Sequence, residues 1–263
     1  MAIVNATPDS FSDGGRFNTV DAAFRQALKC LEEGADIIDI GGESTRPDAA
    51  VVGAAQEQDR VLPVIEKLAK ETDALISIDT YRAETARLAL SAGAHIVNDV
   101  FGLQKEPDMA EVIASAGAGV CIMHTRRERQ KLADVIDDQN HFLKESLQIA
   151  EKAGISREAI VLDPGFGFAK DTGENVELMA RFAELQTLGL PILAGTSRKR
   201  FIGALTGREV ADERDAGTAA TTALLRMAGA AVFRVHNVAI NRDALLVADA
   251  VLAARHAHQG ERD

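Results

Sequence analysis

Short apolar runs alternate with longer amphipathic stretches along the whole chain. The short runs are rich in Ile, Val and Leu and do not alternate strictly with polar residues, which is typical of parallel strands buried on both faces. This pattern predicts eight strands, at residues 2–5, 37–40, 75–79, 95–98, 120–124, 160–163, 192–195 and 232–236.

Apolar residues in the longer stretches recur every three or four positions, as one face of a helix requires. They predict helices at residues 20–33, 56–71, 82–92, 109–116, 134–153, 174–185, 211–227 and 241–255. Strict alternation of strand and helix indicates an α/β protein with the (β/α)₈ TIM-barrel fold. We expect a single domain over residues 1–255, followed by a frayed polar tail at 256–263. A doubly wound open sheet is the alternative, although no GxGxxG motif follows the first strand.

Composition excludes several classes of partner. The chain has 263 residues, which suits one barrel, and a formal net charge of -11 with 4% aromatic residues, which argues against binding nucleic acid. No apolar run is long enough to span a membrane, and no basic, apolar leader begins the chain, so we expect a cytoplasmic protein. Cys30 lies in a helix-like stretch and Cys121 in an apolar run, and neither has a second cysteine nearby, which predicts reduced core residues.

Polar side chains end many of the predicted strands. The carboxyl ends of barrel strands meet at one mouth, so Asp79, Asn98 and Asp163 are expected to lie close together there. Any one of them alone is equally typical of a residue that hydrogen-bonds a loop. Together they predict a cation or a ligand rich in N–H donors, because a buried carboxylate without a partner is costly.

Basic side chains also follow strand ends, at Arg46, Lys199, Arg200, Arg234 and His236. Taken singly, each fits a solvated surface charge. Next to the acidic residues, however, they indicate a mixed ligand with one anionic end, and loops after the last two barrel strands often bind phosphate. The loops after the first two strands, at residues 7–15 and 41–47, are rich in turn formers and hydroxyl groups and are expected to act as lids.

Several motifs occur in barrel order: NATPDSFSDGG at 5–15, DIGGESTRP at 39–47, SIDT at 77–80, VND at 97–99, DPGFGF at 163–168, GTSRK at 195–199 and RVH at 234–236. With them the chain resembles the dihydropteroate synthases of the folate pathway over nearly its whole length. The resemblance implies that para-aminobenzoate attacks the methylene of 6-hydroxymethyl-7,8-dihydropterin diphosphate, releasing diphosphate. It also implies a (β/α)₈ barrel, Mg²⁺ and a homodimer.

The resemblance further implies roles for individual residues. The implied pterin site is Asp79, Asn98, Met123, Asp163 and Lys199. The implied diphosphate site is Asn5, Arg46, Arg234 and His236, with Asn5 as the Mg²⁺ ligand. The implied para-aminobenzoate site is Thr45, Pro47, Phe168, Ser197 and Lys199. The residues expected to act in catalysis are Asp79, Lys199, Arg46, Arg234 and His236. A dissociative substitution needs no nucleophilic side chain, and the sequence has no GxSxG motif.

The chain departs from the family pattern at a few positions. Asp48 stands where Gly is usual, residues 124–129 lack a Gly-Pro turn, and Asn237 replaces Asp. Three other functions remain as alternatives: a methyltransferase that uses methyltetrahydrofolate, a pterin-binding protein without catalysis, and a Schiff-base aldolase that uses Lys199.

Overall fold

Parallel strands form the centre of the molecule in the computed structural model, which describes residues 1–7, 16–43 and 52–260. The strands are β1 (Ala2–Asn5), β2 (Ile37–Gly41), β3 (Leu75–Asp79), β4 (Ile96–Asp99), β5 (Gly119–Met123), β6 (Ile160–Asp163), β7 (Leu193–Ala194) and β8 (Val232–Phe233). The first six pair in chain order in one sheet, and β7 pairs with β8.

Two parallel bridges close these strands into a ring. Leu162 pairs with Ile192, which joins β6 to β7, and Ala2 pairs with Val235, which joins β8 to β1. The Ile3 N–H donates to the Val235 carbonyl at 2.9 Å, so the last and first strands are hydrogen-bonded. An open doubly wound sheet would leave two free edges. The predicted closed barrel is therefore confirmed.

Helices connect successive strands, as parallel pairing requires. Within the described residues they are α1 (Arg16–Glu32), α2 (Ala54–Glu71), α3 (Ala83–Ser91), α4 (Met109–Ala116), α5 (Val135–Ala153), α6 (Thr172–Ala180), α7 (Arg200–Thr206), α8 (Asp215–Met227) and α9 (Val238–Gly260). Short 3-10 helices lie at Arg157–Ala159, Phe182–Leu188 and Ala211–Arg214. None of the helices in this part of the chain is both long and apolar enough to cross a membrane.

After β6 the structure adds one helix to those predicted and shifts several predicted boundaries. Arg200–Thr206 forms a separate helix of seven residues, too short for its periodicity to be recognised. The helix predicted at 174–185 ends at Ala180 and continues as a 3-10 helix, and the one predicted at 211–227 begins with a 3-10 turn. The last helix runs to Gly260 through an Ala-rich sequence that favours helix, and the frayed tail expected at 256–263 stays a prediction.

The core fills the barrel and the layer between strands and helices. In β2, Ile38 and Ile40 are fully buried, and so is the intervening Asp39, so this strand is covered on both faces. Side-chain caps start the helices after β5 and β6. Asp134 accepts hydrogen bonds from two backbone N–H groups of α5, and Asp171 forms a capping box with Glu174 at α6. These caps fix where the loops at the barrel mouth end.

Candidate active site

The strand pairing places the predicted polar residues near the carboxyl ends of the strands, at the barrel mouth. Asn5 is paired with Gly41, Gly41 with Asp79, and Asp79 with Asn98. Across β5 and β6, Met123 is paired with Asp163. From Asn98 the register continues to Cys121 and Val161, so Asp163 lies two residues further along β6. Asp79, Asn98 and Asp163 all lie at the carboxyl ends of their strands, as predicted.

Arg234, which follows β8, joins two carboxylates of the mouth. Its Nε donates to Asp39 Oδ2 at 2.6 Å, and its Nη2 donates to Asp79 Oδ2 at 2.5 Å. Asn98 Nδ2 donates to the same oxygen of Asp39 at 3.2 Å. The structure therefore places Arg234 among the acidic residues, and its predicted contact with diphosphate stays a prediction.

Asp39 is a site residue that sequence reasoning missed. It is fully buried in a strand of isoleucines, and a lone carboxylate inside such a run was the available signal. Because an ionised carboxylate cannot stay buried without a partner, Asp39 depends on Arg234. We refer to Asp39, Asp79, Asp163, Lys199 and Arg234 as the mouth cluster.

Burial and neighbouring charges shift the pKa values on this side of the mouth cluster. Burial raises the pKa of Asp79 to about 7, with Arg234 opposing the shift and Asp39 adding to it. Burial alone would lower the pKa of Arg234, but the charges of Asp39 and Asp79 outweigh it and raise that pKa above its ordinary value. Arg234 therefore stays charged while Asp79 titrates near neutral pH.

Asp163 and Lys199 form the opposite side of the mouth cluster. The Gly165 N–H donates to Asp163 Oδ1 at 2.7 Å, and Lys199 Nζ donates to the Phe166 carbonyl. A Cβ on Gly195 would lie 3.5 Å from Asp163 Oδ2 and 3.9 Å from Lys199 Nζ, so both groups flank this glycine. Burial raises the pKa of Asp163. Burial also lowers the pKa of Lys199 to about 8, although the negative charge of Asp163 opposes this shift.

An aromatic and sulfur-containing wall lies beside these charges. Met123 and Phe168 are buried in one small cluster with Val100. Lys199 Nζ lies 4.6 Å from the centre of the Phe168 ring, within the range of a cation–π contact. The mouth therefore offers both a polar edge and an apolar face to a flat ligand.

The loops after β7 and β8 are tied together by two predicted residues. Ser197 Oγ lies 2.9 Å from His236 Nδ1, and it accepts a hydrogen bond from the His236 N–H at 3.1 Å. Thr45, Arg46 and Pro47 lie outside the described residues, as does most of the first predicted lid. Their roles stay predictions.

Comparison with known proteins decides the family. Residues 1–236 match the family model described as pterin binding enzyme. The dihydropteroate synthase of Clostridium beijerinckii is 44% identical over 253 residues, covering 96% of this chain and 93% of that protein. The chain belongs to the dihydropteroate synthase family. This family consists of transferases of folate biosynthesis, so the resemblance inferred from the sequence motifs is confirmed.

Solved structures of family members share the fold over nearly the whole chain. The Xanthomonas albilineans dihydropteroate synthase with 4-aminobenzoic acid superimposes with a TM-score of 0.92 and 47% identity, covering 96% of this chain and 92% of that one. The enzyme of that organism in complex with 7,8-dihydropteroate gives a TM-score of 0.89 and 45% identity, covering 96% and 93%.

A buried network holds the segment after β5, where the sequence departs from the family pattern. Asp138 Oδ2 accepts hydrogen bonds from Arg126 Nε at 2.7 Å and from Arg129 Nη2 at 2.8 Å, and lies 3.1 Å from His124 Nε2. Lys170 Nζ lies 3.0 Å from His124 Nδ1 and donates to the Gly165 carbonyl at 2.9 Å. The network thus links this segment to the loop that carries Asp163.

The histidine of this network is neutral. Burial lowers the pKa of His124 to about 3, with the charge of Lys170 adding to the effect. Burial also lowers the pKa of Lys170 well below its ordinary value. For Asp138, hydrogen bonds from its neighbours outweigh burial and hold its pKa below the ordinary range.

Proposed function

We propose that the chain condenses 6-hydroxymethyl-7,8-dihydropterin diphosphate with para-aminobenzoate to give 7,8-dihydropteroate and diphosphate. The observation that carries the proposal is the convergence of Asp79, Asn98, Asp163 and Lys199 at one barrel mouth, in a member of this family. The family members solved with 4-aminobenzoic acid and with 7,8-dihydropteroate support the same pair of substrate and product.

The polar edge of the mouth suits a pterin. A pterin presents guanidine-like N–H groups beside a ring carbonyl. Asp163 accepts N–H groups through its carboxylate, and Asn98, whose Nδ2 already donates to Asp39, accepts through its carbonyl oxygen. Lys199 donates to the ring carbonyl, and Met123 packs against the ring. Each hydrogen bond to a charged group contributes about 1.5–3 kcal/mol.

The bond-breaking step is dissociative. The bond between the pterin methylene carbon and the diphosphate oxygen breaks first, and its electron pair leaves with the diphosphate. The cation that remains is stabilised by the carboxylate of Asp79, which Arg234 keeps in place through its 2.5 Å hydrogen bond. The amine nitrogen of para-aminobenzoate then forms the new carbon–nitrogen bond and loses a proton to solvent.

The diphosphate site includes Asn5, Arg46, Arg234 and His236. A Cβ on Gly41 would lie 3.6 Å from Asn5 Oδ1 and 3.8 Å from Asp79 Oδ2, so the missing side chain leaves these oxygens facing a small space. The described residues contain no group of three or more His, Cys, Asp or Glu side chains that would hold a metal ion. A single amide oxygen fits Mg²⁺, which takes most of its ligands from water and substrate phosphates. When bound, Mg²⁺ offsets the negative charge of the leaving diphosphate.

The para-aminobenzoate site is formed by Thr45, Pro47, Phe168, Ser197 and Lys199. Phe168 and Lys199 supply a flat apolar face with a cation 4.6 Å from its centre. Ser197 is positioned by His236, so the second substrate lies next to the residues that receive the diphosphate. In this proposal the attacking amine and the leaving group meet at the same mouth.

A homodimer and a cytoplasmic location complete the proposal. Exposed apolar side chains lie on the two adjacent helices α8 and α9, with Leu224 61% exposed, Leu246 58% and Val247 66%. Exposed apolar patches of this kind mark interaction sites. Cys30 and Cys121 are free and buried, which agrees with a reducing compartment.

Product formation tests the activity directly. Purified protein is incubated with Mg²⁺, the pterin diphosphate and para-aminobenzoate, and both dihydropteroate and diphosphate are measured. We expect equal amounts of the two products, and a Lys199→Ala variant that releases almost none. Pterin binding without dihydropteroate would overturn the proposal in favour of a binding protein or a methyltransferase.

A further inference from the structure

Two cations lie against the ring of Phe168. One is Lys199, and the other is Arg127, whose guanidinium carbon lies 4.7 Å from the ring centre. Arg127 belongs to the segment after β5, outside every residue assigned above. Its backbone N–H donates to Thr125 Oγ1 at 3.2 Å, and the flanking Arg126 and Arg129 are bound to buried Asp138. The backbone on both sides of Arg127 is therefore anchored.

Arg127 changes the charge balance of the mouth. When ionised, the three carboxylates of the mouth cluster outnumber its two cations, Lys199 and Arg234. An anionic second substrate would enter a site with excess negative charge, on a protein whose net charge is already -11. The guanidinium of Arg127 supplies the balancing charge. Its influence extends to Lys199, since the charge of Arg127 contributes to lowering the pKa of that ammonium group.

We infer that Arg127 is a specificity-determining residue of the aminobenzoate site, where its charge, held on the Phe168 ring, favours a substrate that carries a carboxylate. The inference rests on the proposed function. A guanidinium near a carboxylate stabilises the bound anion, whereas an uncharged substrate of the same shape gains little from it. Arg127 therefore acts on the choice of substrate, and the bond-breaking step does not depend on it.

Two substrates of the same shape test the inference. The neutral 4-aminobenzamide is compared with para-aminobenzoate as acceptor, and kcat/KM is measured for both with wild type, Arg127→Ala and Arg127→Lys. We expect Arg127→Ala to lower kcat/KM for para-aminobenzoate by about fivefold to tenfold, mainly through KM, and to leave the value for the amide nearly unchanged. Arg127→Lys keeps the charge and should recover most of the preference.

Lys105→Ala is the matched control. Lys105 also lies on aromatic rings of the same cluster, 3.9 Å from the centre of Phe101, and it contacts Glu128 next to Arg127 at 3.5 Å. Its removal disturbs the segment without changing the charge at Phe168, so the preference for the carboxylate should persist.

The possible outcomes separate the inference from the proposed function. Equal losses for both acceptors in Arg127→Ala would show a merely structural effect and overturn the inference, and so would unchanged values for both. Wild-type protein that forms no dihydropteroate would overturn the proposed function, and the inference with it. A wild type that turns over para-aminobenzoate, together with a selective loss in Arg127→Ala, supports both.

Discussion

The guanidinium of Arg234 donates to Asp79 Oδ2 at 2.5 Å, which joins the end of β8 to the end of β3 across the barrel mouth. The same side chain donates to buried Asp39 at 2.6 Å. One cation therefore holds two carboxylates that would otherwise repel each other. The pair also connects fold and proposed chemistry, because Arg234 opposes the rise in pKa that burial causes at Asp79, the carboxylate proposed to stabilise the pterin cation.

Replacing Arg234 by Met should affect both stability and activity. The variant leaves Asp39 and Asp79 without their cation, and breaking a mostly buried ion pair costs about 3 kcal/mol in the free energy of unfolding. We expect kcat to fall by about a hundredfold, since the carboxylate of Asp79 loses its orientation and its charge. Urea unfolding and steady-state kinetics measure the two effects. An Arg87→Ala control, which removes an exposed ion pair with Glu84 within α3, should change neither quantity appreciably.

A plot of kcat/KM against pH should have an acid limb, where it rises, and an alkaline limb, where it falls. The pKa of Asp79 is about 7, so kcat/KM should rise as pH increases through that value and the carboxylate ionises. The pKa of Lys199 is about 8, so kcat/KM should fall above that value as the ammonium group loses its proton. Lys199→Arg keeps a positive charge at high pH. We expect this variant to lose the alkaline limb, and an alkaline limb that survives unchanged would show that another group titrates there.

Acid should weaken the fold through His124. Its pKa is about 3 in the folded protein and 6.5 ordinarily, so between these values the unfolded chain binds the proton and the folded chain does not. The contribution of His124 to the free energy of unfolding therefore decreases as pH falls below about 6.5, by up to about 1.4 kcal/mol per pH unit. Asp79 and Asp163, whose pKa values are raised, act in the opposite direction, whereas Asp138, whose pKa is lowered and which contacts His124, acts in the same direction. The slope is therefore compared with that of a variant without the buried ring.

The variant for that comparison is His124→Gln. Its free energy of unfolding, measured in urea at several pH values between 7 and 4, should fall less steeply with acid than that of the wild type. His141→Gln removes a histidine whose side chain is 56% exposed on α5, and it should reproduce the wild-type slope. Parallel slopes for wild type and His124→Gln would contradict the role assigned to the buried ring.

The barrel and the ring of polar residues at its mouth could be predicted from the sequence, because the carboxyl ends of parallel strands must meet wherever the strands close. The prediction that Asp79, Asn98 and Asp163 lie at the mouth required only this topology. The pairing of Asp39 with Arg234 could not be predicted, since the two residues are 195 positions apart and meet only through the closure of β8 on β1. The contact between Lys170 and His124 likewise depends on how two loops pack.

A negative charge introduced on α9 should dissociate the proposed dimer into monomers. Val247 is 66% exposed on α9, and Val247→Glu would bury a carboxylate in the proposed apolar interface. Sedimentation velocity should give a dimer for the wild type and a monomer for the variant. The matched control is Val176→Glu, at an apolar residue of α6 that is 40% exposed, and it should leave the dimer intact. A monomeric wild type would rule the dimer out.

Gly165 connects the buried network to Asp163 of the proposed pterin site, and its substitution tests that connection. Gly165 has φ of +62°, and a Cβ there would lie 2.0 Å from the His124 carbonyl, so Gly165→Ala forces the loop to move. Because the Gly165 N–H holds Asp163 at 2.7 Å, we expect KM for the pterin diphosphate to rise by about tenfold or more. KM for para-aminobenzoate should change less.

Gly117→Ala separates this effect from backbone strain. Gly117 has the same φ of +62°, yet nothing lies within 4 Å of a Cβ placed on it. Both variants therefore bear the strain of a left-handed backbone, about 1 kcal/mol, whereas only Gly165→Ala meets a neighbouring carbonyl. Gly117→Ala should lower stability slightly and leave both KM values unchanged. Equal KM values in the two variants would show that Asp163 does not depend on the turn at Gly165 for its position.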